Sequence, residues 1–462
     1  MADTDASGET ARIWLRPGFF VFAATGVCLG LSDVWRFPQI MAEHASPWFP
    51  LFYLAGLLLV GVPLLVAELT LARLGHSRPA GNYGFLVQGT VSSPLWQYAG
   101  IIVLIAVFMI LSYTTVVAGW MLAYTVRSLI GGLEELSAGA ARLMFQSLIT
   151  DPERLLGWHT LFVLGLGWVA ARDVNAGTGR VSRWLVITVF VIAAALAALS
   201  LLRYGFAPVL GLEWSWHWST LSGAMVLDAV TQAFFTLGVC MGAMLILGHY
   251  LPDGARTGPL VARVVGLDIL FVCLAGLGVM PLLLSGEERG GGISFAMETV
   301  PLALAETPFG SVYLGAFYVL LFLLVTTTAL VLMELLVSWA SEKSGRNRAS
   351  VAPLVAGAVW FGGVLSLLSF GALAFEFEFV GEEKSFGLFD VMDILSSQIL
   401  LPIIGLLMAI FVGWNIDRKT FMEAVGEGRA AHWLHQLKRY LVPAAVGVIF
   451  IVLVFGRLLP RV

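Results

Sequence analysis

Residues 17–42 read PGFFVFAATGVCLGLSDVWRFPQIMA, an apolar run interrupted at Gly26-Val27-Cys28-Leu29-Gly30 and carrying Asp33 and Arg36 just beyond the interruption. The run is long enough to cross a bilayer, which takes about 20 mainly apolar residues. The same pattern returns as Gly238-Val239-Cys240-Met241-Gly242 in the sixth apolar run. Four runs lie between the copies, so the two cross in opposite directions. Glycine-interrupted segments at corresponding places in two inverted halves point to a transporter whose broken helices meet near the bilayer midplane. The competing explanation is coincidence in a chain with 50 glycines, since glycine is common in membrane helices.

Working outward, the 462 residues are 59% apolar and only 12% charged, with a mean hydropathy of +0.89. A soluble domain carries roughly a quarter of its residues as charges, so the main solvent of this chain is lipid. Eleven runs fit spanning helices: 17–42, 47–74, 95–129, 158–172, 183–205, 222–249, 258–285, 308–341, 350–374, 388–415 and 440–459. They are continuous rather than alternating, which favours helices over a lipid-facing barrel. With the N-terminus cytoplasmic, 17 of the 26 bases fall in inner loops, and Glu134, Glu135, Glu287, Glu288, Glu376, Glu378, Glu382 and Glu383 lie outside. That distribution obeys the positive-inside rule. Trp214, Trp216 and Trp218 before the sixth run fit an interfacial aromatic belt.

A formal charge of -4 excludes the basic footprint of a nucleic-acid binder. Cys28, Cys240 and Cys273 lie inside apolar runs, which offers neither a disulfide framework nor a zinc site. The polar, acidic start lacks the basic region of a signal peptide, so the first span is expected to stay in the mature protein.

Ionisable and polar residues inside spans are costly and normally face a bundle interior or a watery cavity. Here they are Asp33 and Arg36 in span one, Glu68 in span two, Gln232 and Thr236 in span six and Asp268 in span seven. Thr326 to Thr328 and Glu334 follow in span eight, Asp390 and Asp393 in span ten. Some have a plainer reading: Glu334 and Asp390 as ties between helices, lone threonines as donors to their own backbone.

Five stretches together resemble the neurotransmitter:sodium symporter family in a bacterial-type form: Trp35-Arg36-Phe37-Pro38, Gly61-Val62-Pro63-Leu64-Leu65 before Glu68, Val117-Ala118-Gly119-Trp120, Gln232-Ala233-Phe234-Phe235-Thr236-Leu237, and Phe389-Asp390-Val391-Met392-Asp393. The resemblance covers nearly the whole chain. It implies an all-α polytopic membrane protein of the LeuT fold with broken first and sixth spans and about 11 transmembrane helices. Residues 1–16 would be a cytoplasmic segment, 17–205 the first five-helix repeat, 206–415 the inverted second, and 416–462 a cytoplasmic loop with the eleventh span. It also implies a multi-pass protein of the cell membrane, in bacteria the inner membrane, that takes up a small amino acid or related amine with one or two sodium ions by alternating access.

Carried onto this chain, the second sodium site would use carbonyls of Gly26, Leu29 and Leu323 with the hydroxyls of Thr326 and Thr327. The first would use the Cys28 carbonyl, Asp33, Thr236 and Asp268. Amides near Leu31 and Ser32 would meet an anionic group of the substrate, and carbonyls around Phe235, Thr236 and Gly238 its amine. Ile110, Phe235, Met241 and Val331 would line an apolar pocket, which plain core would also explain. Arg36 and Asp393 would pair across the outer vestibule, with Phe235 as the lid over the substrate and Trp14 and Tyr250 at the inner gate. The family's inner Arg and Asp fall on Ala11 and Ser341, with Arg12 and Glu342 one residue along.

Three departures bear on the substrate. Asp33 stands where the family has Asn, Asp268 adds a second acid, and Thr114 stands where a Tyr hydroxyl usually meets the substrate carboxylate. Two carboxylates against one sodium leave either a protonated acid with an amino-acid substrate or a solute without a carboxylate. Asp268 also supplies the fixed charge that chloride brings in other members, so no chloride requirement is expected. Two other classes remain open from the residues: a transport-dead sensor of the same fold, and a membrane enzyme, for which His432 and His435 lack a third catalytic or ligating partner. Oligomeric state is not readable.

Overall fold

The computed structural model describes residues 16–75, 93–131, 138–205, 216–252, 255–285, 293, 295–305, 310–370, 375–379, 382–426 and 429–455. Among them, eight helices are long and apolar enough to cross a membrane unaided: Trp48–Leu74, Pro94–Leu129, Asn175–Arg203, Thr257–Met280, Gly310–Ser344, Arg348–Leu368, Leu388–Asn415 and Ala431–Val454. Span one makes a ninth as a bent pair, Pro17–Cys28 and Leu31–His44, turned by 63°.

The other two expected runs are also helical but differ from an unbroken apolar rod. The fourth begins earlier than the apolar pattern suggests, at Pro152 instead of residue 158, and ends at Ala170. Asp151 caps it by accepting the N–H of Arg154 at 3.1 Å, and Pro152 suits a first helical position. Its first turn holds Glu153 and Arg154, which dilute its apolarity. The sixth is divided into Gly223–Thr236 and Ala243–His249, so neither half is long enough alone.

In three further spans a widened turn precedes a proline without breaking the helix. Wide helical turns occupy Leu57–Gly61, Ile394–Leu400 and Leu437–Leu441, and each is followed after one residue by a proline, Pro63, Pro402 or Pro443. Proline donates no hydrogen bond and its ring crowds the carbonyl one turn back; a wider turn relieves both. Span eight is the axis: 72% of its most apolar stretch is buried, against 22% for span eleven at the periphery. It packs on spans one, three, five and nine.

The helical architecture is as expected, with one short hairpin added among the described residues. Phe375–Phe379 and Glu382–Phe386 form an antiparallel hairpin between spans nine and ten, in the register Phe377 opposite Lys384. FEFEF alternates with the period of a strand. In the aromatic belt, Trp216 and Trp218 are exposed and rest on Trp48 of span two at 4.9 Å each; Trp214 lies outside the described residues.

Candidate functional site

A continuous helix would carry a hydrogen bond from the Gly30 amide to the Gly26 carbonyl. Here Leu29 turns to an extended conformation, and the Gly30 N–H is donated to Asp33 Oδ2 at 2.9 Å. The Gly26 carbonyl is thereby released, and it accepts the Thr327 hydroxyl at 2.7 Å. Only glycine permits this approach, because a Cβ at residue 26 would lie 2.9 Å from Thr327 Cβ. The Thr327 hydroxyl is also 2.8 Å from the Leu324 carbonyl, which Thr328 reaches at 3.4 Å. Thr326 instead donates to Phe322 at 2.7 Å, the backbone bond that a lone membrane threonine makes. Of the expected second-site groups, then, Gly26 and Thr327 meet directly. The carbonyl gathered with them is that of Leu324, one residue beyond Leu323.

Span six breaks differently although its sequence is nearly the same. Gly238, Cys240 and Gly242 all have positive φ, at 56°, 69° and 71°. A Cβ on Gly238 would sit 2.9 Å from the Val27 carbonyl oxygen, so the two breaks touch at this glycine. Cys28 Sγ donates to the Leu237 carbonyl across the same contact at 3.3 Å. Buried Glu68 satisfies the amides that the break orphans, accepting from Cys240 at 2.9 Å, Met244 at 3.0 Å and Leu245 at 3.3 Å.

The expected first-site residues converge. Thr236 Oγ1 lies 3.3 Å from Asp33 Oδ1 and 2.9 Å from the Gln232 carbonyl, and accepts from the Tyr53 hydroxyl at 3.3 Å. Asp33 and Asp268 are fully buried. Neither carboxylate oxygen of Asp268 has a hydrogen-bond partner among the described residues, and the charge of Asp33 acts on it. A buried carboxylate in that state fits a cation. Ile110 and Val331 are buried, and Phe235, Met241 and Thr114 are half-buried. The Phe235 carbonyl accepts the Gly238 N–H at 3.1 Å.

Known proteins resemble this chain in sequence and fold. The sequence model of the sodium:neurotransmitter symporter family matches residues 13–137. An uncharacterised sodium-dependent transporter of Bacillus subtilis is 27% identical over 96% of this chain and 97% of its own, and one of Haemophilus influenzae is 22% identical over 96% and 98%. The crystal structure of MhsT in complex with L-phenylalanine superposes with a TM-score of 0.83 at 30% identity, covering 95% of this chain and 99% of that one. The chain belongs to the sodium:neurotransmitter symporter family. It is a multi-pass membrane protein with the LeuT fold, and its relatives are transporters rather than enzymes.

On one side of this symporter's site, the Arg36 guanidinium stands 5.9 Å from the centre of the Phe235 ring, within range of a cation–π contact. Asp393 Oδ1 accepts from Ser397 at 3.0 Å, and Ser397 is 3.1 Å from the Tyr113 hydroxyl. Tyr113, adjacent to Thr114, is missed by sequence reasoning because an aromatic in an apolar run reads as core. On the opposite side, Tyr250 donates to Glu334 at 2.8 Å, as does Thr178 at 2.9 Å. Arg348 clamps the same carboxylate with two bonds, at 2.6 and 2.7 Å, and reaches the Ala170 carbonyl at 2.8 Å. Glu334 is therefore the hub that joins spans four, five, six, eight and nine. Trp14, Ala11 and Arg12 lie outside the described residues. His435 packs on Phe421 at 5.6 Å.

Proposed function

We propose that the protein is a sodium-coupled symporter importing a small amino acid or related amine by alternating access, with the two breaks as the shared ion and solute site. The observation that carries this reading is the Gly26 carbonyl, freed by the break and held by Thr327 on span eight, together with a buried Asp268 whose carboxylate has no hydrogen-bond partner among the described residues. A sodium ion wants several oxygens, and carbonyls freed by a broken helix supply them. Our second-site set is Gly26, Leu29, Leu324, Thr327 and Thr328, taking Leu324 and Thr328 over Leu323 and Thr326 on the geometry above. Asp33, Thr236, Asp268 and the Cys28 carbonyl form the first. Sodium at the second site would hold span one against span eight, and its release would free the first half of span one. The two halves that rock would be residues 17–205 and 206–415, in a bacterial inner membrane with the N-terminus inside.

The test is the sodium dependence of uptake into proteoliposomes. Thr327→Ala raises the half-saturating sodium concentration by about tenfold or more, the cost of one charge-assisted oxygen contact. Thr328→Ala raises it less, and Thr326→Ala leaves it unchanged. A Thr326→Ala effect equal to that of Thr327→Ala, or no effect of Thr327→Ala, refutes the set. Replacing chloride by gluconate at constant sodium leaves uptake intact, because Asp268 supplies a fixed negative charge; loss of uptake contradicts that assignment.

A further inference from the structure

We infer that an anionic phospholipid binds where span ten meets the first turns of span eleven, its phosphate received by Arg439 and an acyl chain lying along the exposed apolar side of span eleven. Two widened turns come together there, Phe411–Asn415 of span ten and Leu437–Leu441 of span eleven. Glycine allows the contact, since a Cβ on Gly413 would lie 3.3 Å from the Arg439 Cα. Lys438 is buried in this joint; it donates to the Val412 carbonyl at 2.8 Å and stands 3.4 Å from the centre of the Phe421 ring.

The joint holds more positive charge than it balances. The charges of Lys438, Arg418 and Arg439 all act on His435, which is buried. Neither His435 Nδ1 nor Arg439 Nε has a hydrogen-bond partner among the described residues. The described acid that acts on Lys438 is Asp417, which is exposed and already caps the following helix by accepting the Thr420 N–H at 3.2 Å. Cations gathered without matching acids favour an anion from outside the chain, and basic pockets between spanning helices suit lipid headgroups.

The setting selects a lipid over a free anion. Trp414 and Tyr440 meet at 6.3 Å and are both exposed, as is Trp433, the aromatic signature of headgroup depth. The Arg439 guanidinium lies 5.6 Å from the centre of the Tyr440 ring, and its fork suits two phosphate oxygens. Leu441 and Val448, two turns apart on one side of span eleven, are exposed and offer an apolar track for an acyl chain.

The experiment counts bound lipid by native mass spectrometry of the purified full-length protein, titrated with phosphatidylglycerol or with phosphatidylcholine of the same acyl chains. Phosphatidylglycerol binds about tenfold or more tightly. Arg439→Gln weakens phosphatidylglycerol by about fivefold, the worth of one basic residue at an anionic surface, and leaves phosphatidylcholine unchanged. Arg203→Gln, which removes an exposed base at the far end of span five, changes neither. Equal affinity for the two lipids overturns the inference, as does an Arg439→Gln protein that binds phosphatidylglycerol like the wild type or loses no more than Arg203→Gln does. Inorganic phosphate at millimolar concentration leaves the lipid bound; displacement by it would make this a site for free anions and overturn the lipid assignment. Should Arg439→Gln not fold, Arg418→Gln carries the variant arm with the same expected loss, and the wild-type comparison of the two lipids decides by itself.

Discussion

Arg348→Ala abolishes uptake and lowers stability by about 3–5 kcal/mol, the usual cost of leaving one partner of a buried ion pair uncompensated. The carboxylate left behind, Glu334, is wholly buried on span eight. Arg348 gives it two hydrogen bonds and ties the end of span four through Ala170. Tyr250 and Thr178 remain, but neither carries a charge. Glu334→Gln combined with Arg348→Met costs less than Arg348→Ala alone, because no charge is stranded. Thermal unfolding in detergent and uptake in proteoliposomes check both; an Arg348→Ala protein with wild-type stability would contradict the reading of Glu334 as a hub.

Glu68→Ala is the second severe change. Three amides at the break of span six, those of Cys240, Met244 and Leu245, lose their acceptor. Each buried donor left unmade costs about 1–3 kcal/mol. Cys240 also sits at positive φ, a conformation costly for a residue with a side chain, so the break depends on these bonds. Uptake is lost in Glu68→Ala, and thermal stability falls. Glu68→Gln keeps one acceptor oxygen and falls between. Wild-type behaviour of the alanine variant would mean that the break holds itself.

The fold was legible because its defining defects are chemical. Glycines at 26, 30, 238 and 242 mark where a helix can open, and the apolar runs between charged loops mark the spans. The repeated pentapeptide nonetheless hides two different backbones: Gly26 stays helical to admit Thr327, whereas Gly238 and Gly242 adopt positive φ. Of the candidate site, the acids and the threonine cluster were visible as residues expensive in lipid. Which threonine faces span one was not, since neighbours on a helix differ by about 100° and all three are the same residue. The Glu334–Arg348 clamp was hidden because its partners belong to different helices, joined by the turn at Gly345. Arg348 in the sequence counts only as one more base in an inner loop.

The most direct test of the central claim, that the ions and the solute share one site between the two breaks, is reciprocal binding at equilibrium. Radioactive sodium binding is measured with and without saturating solute, and solute binding with and without saturating sodium, on the same purified protein. The account predicts that each ligand tightens the other by the same factor, as linkage requires of coupled sites, and that Thr327→Ala and Asp268→Asn each reduce that factor. Sodium and solute that bind independently of one another would contradict it.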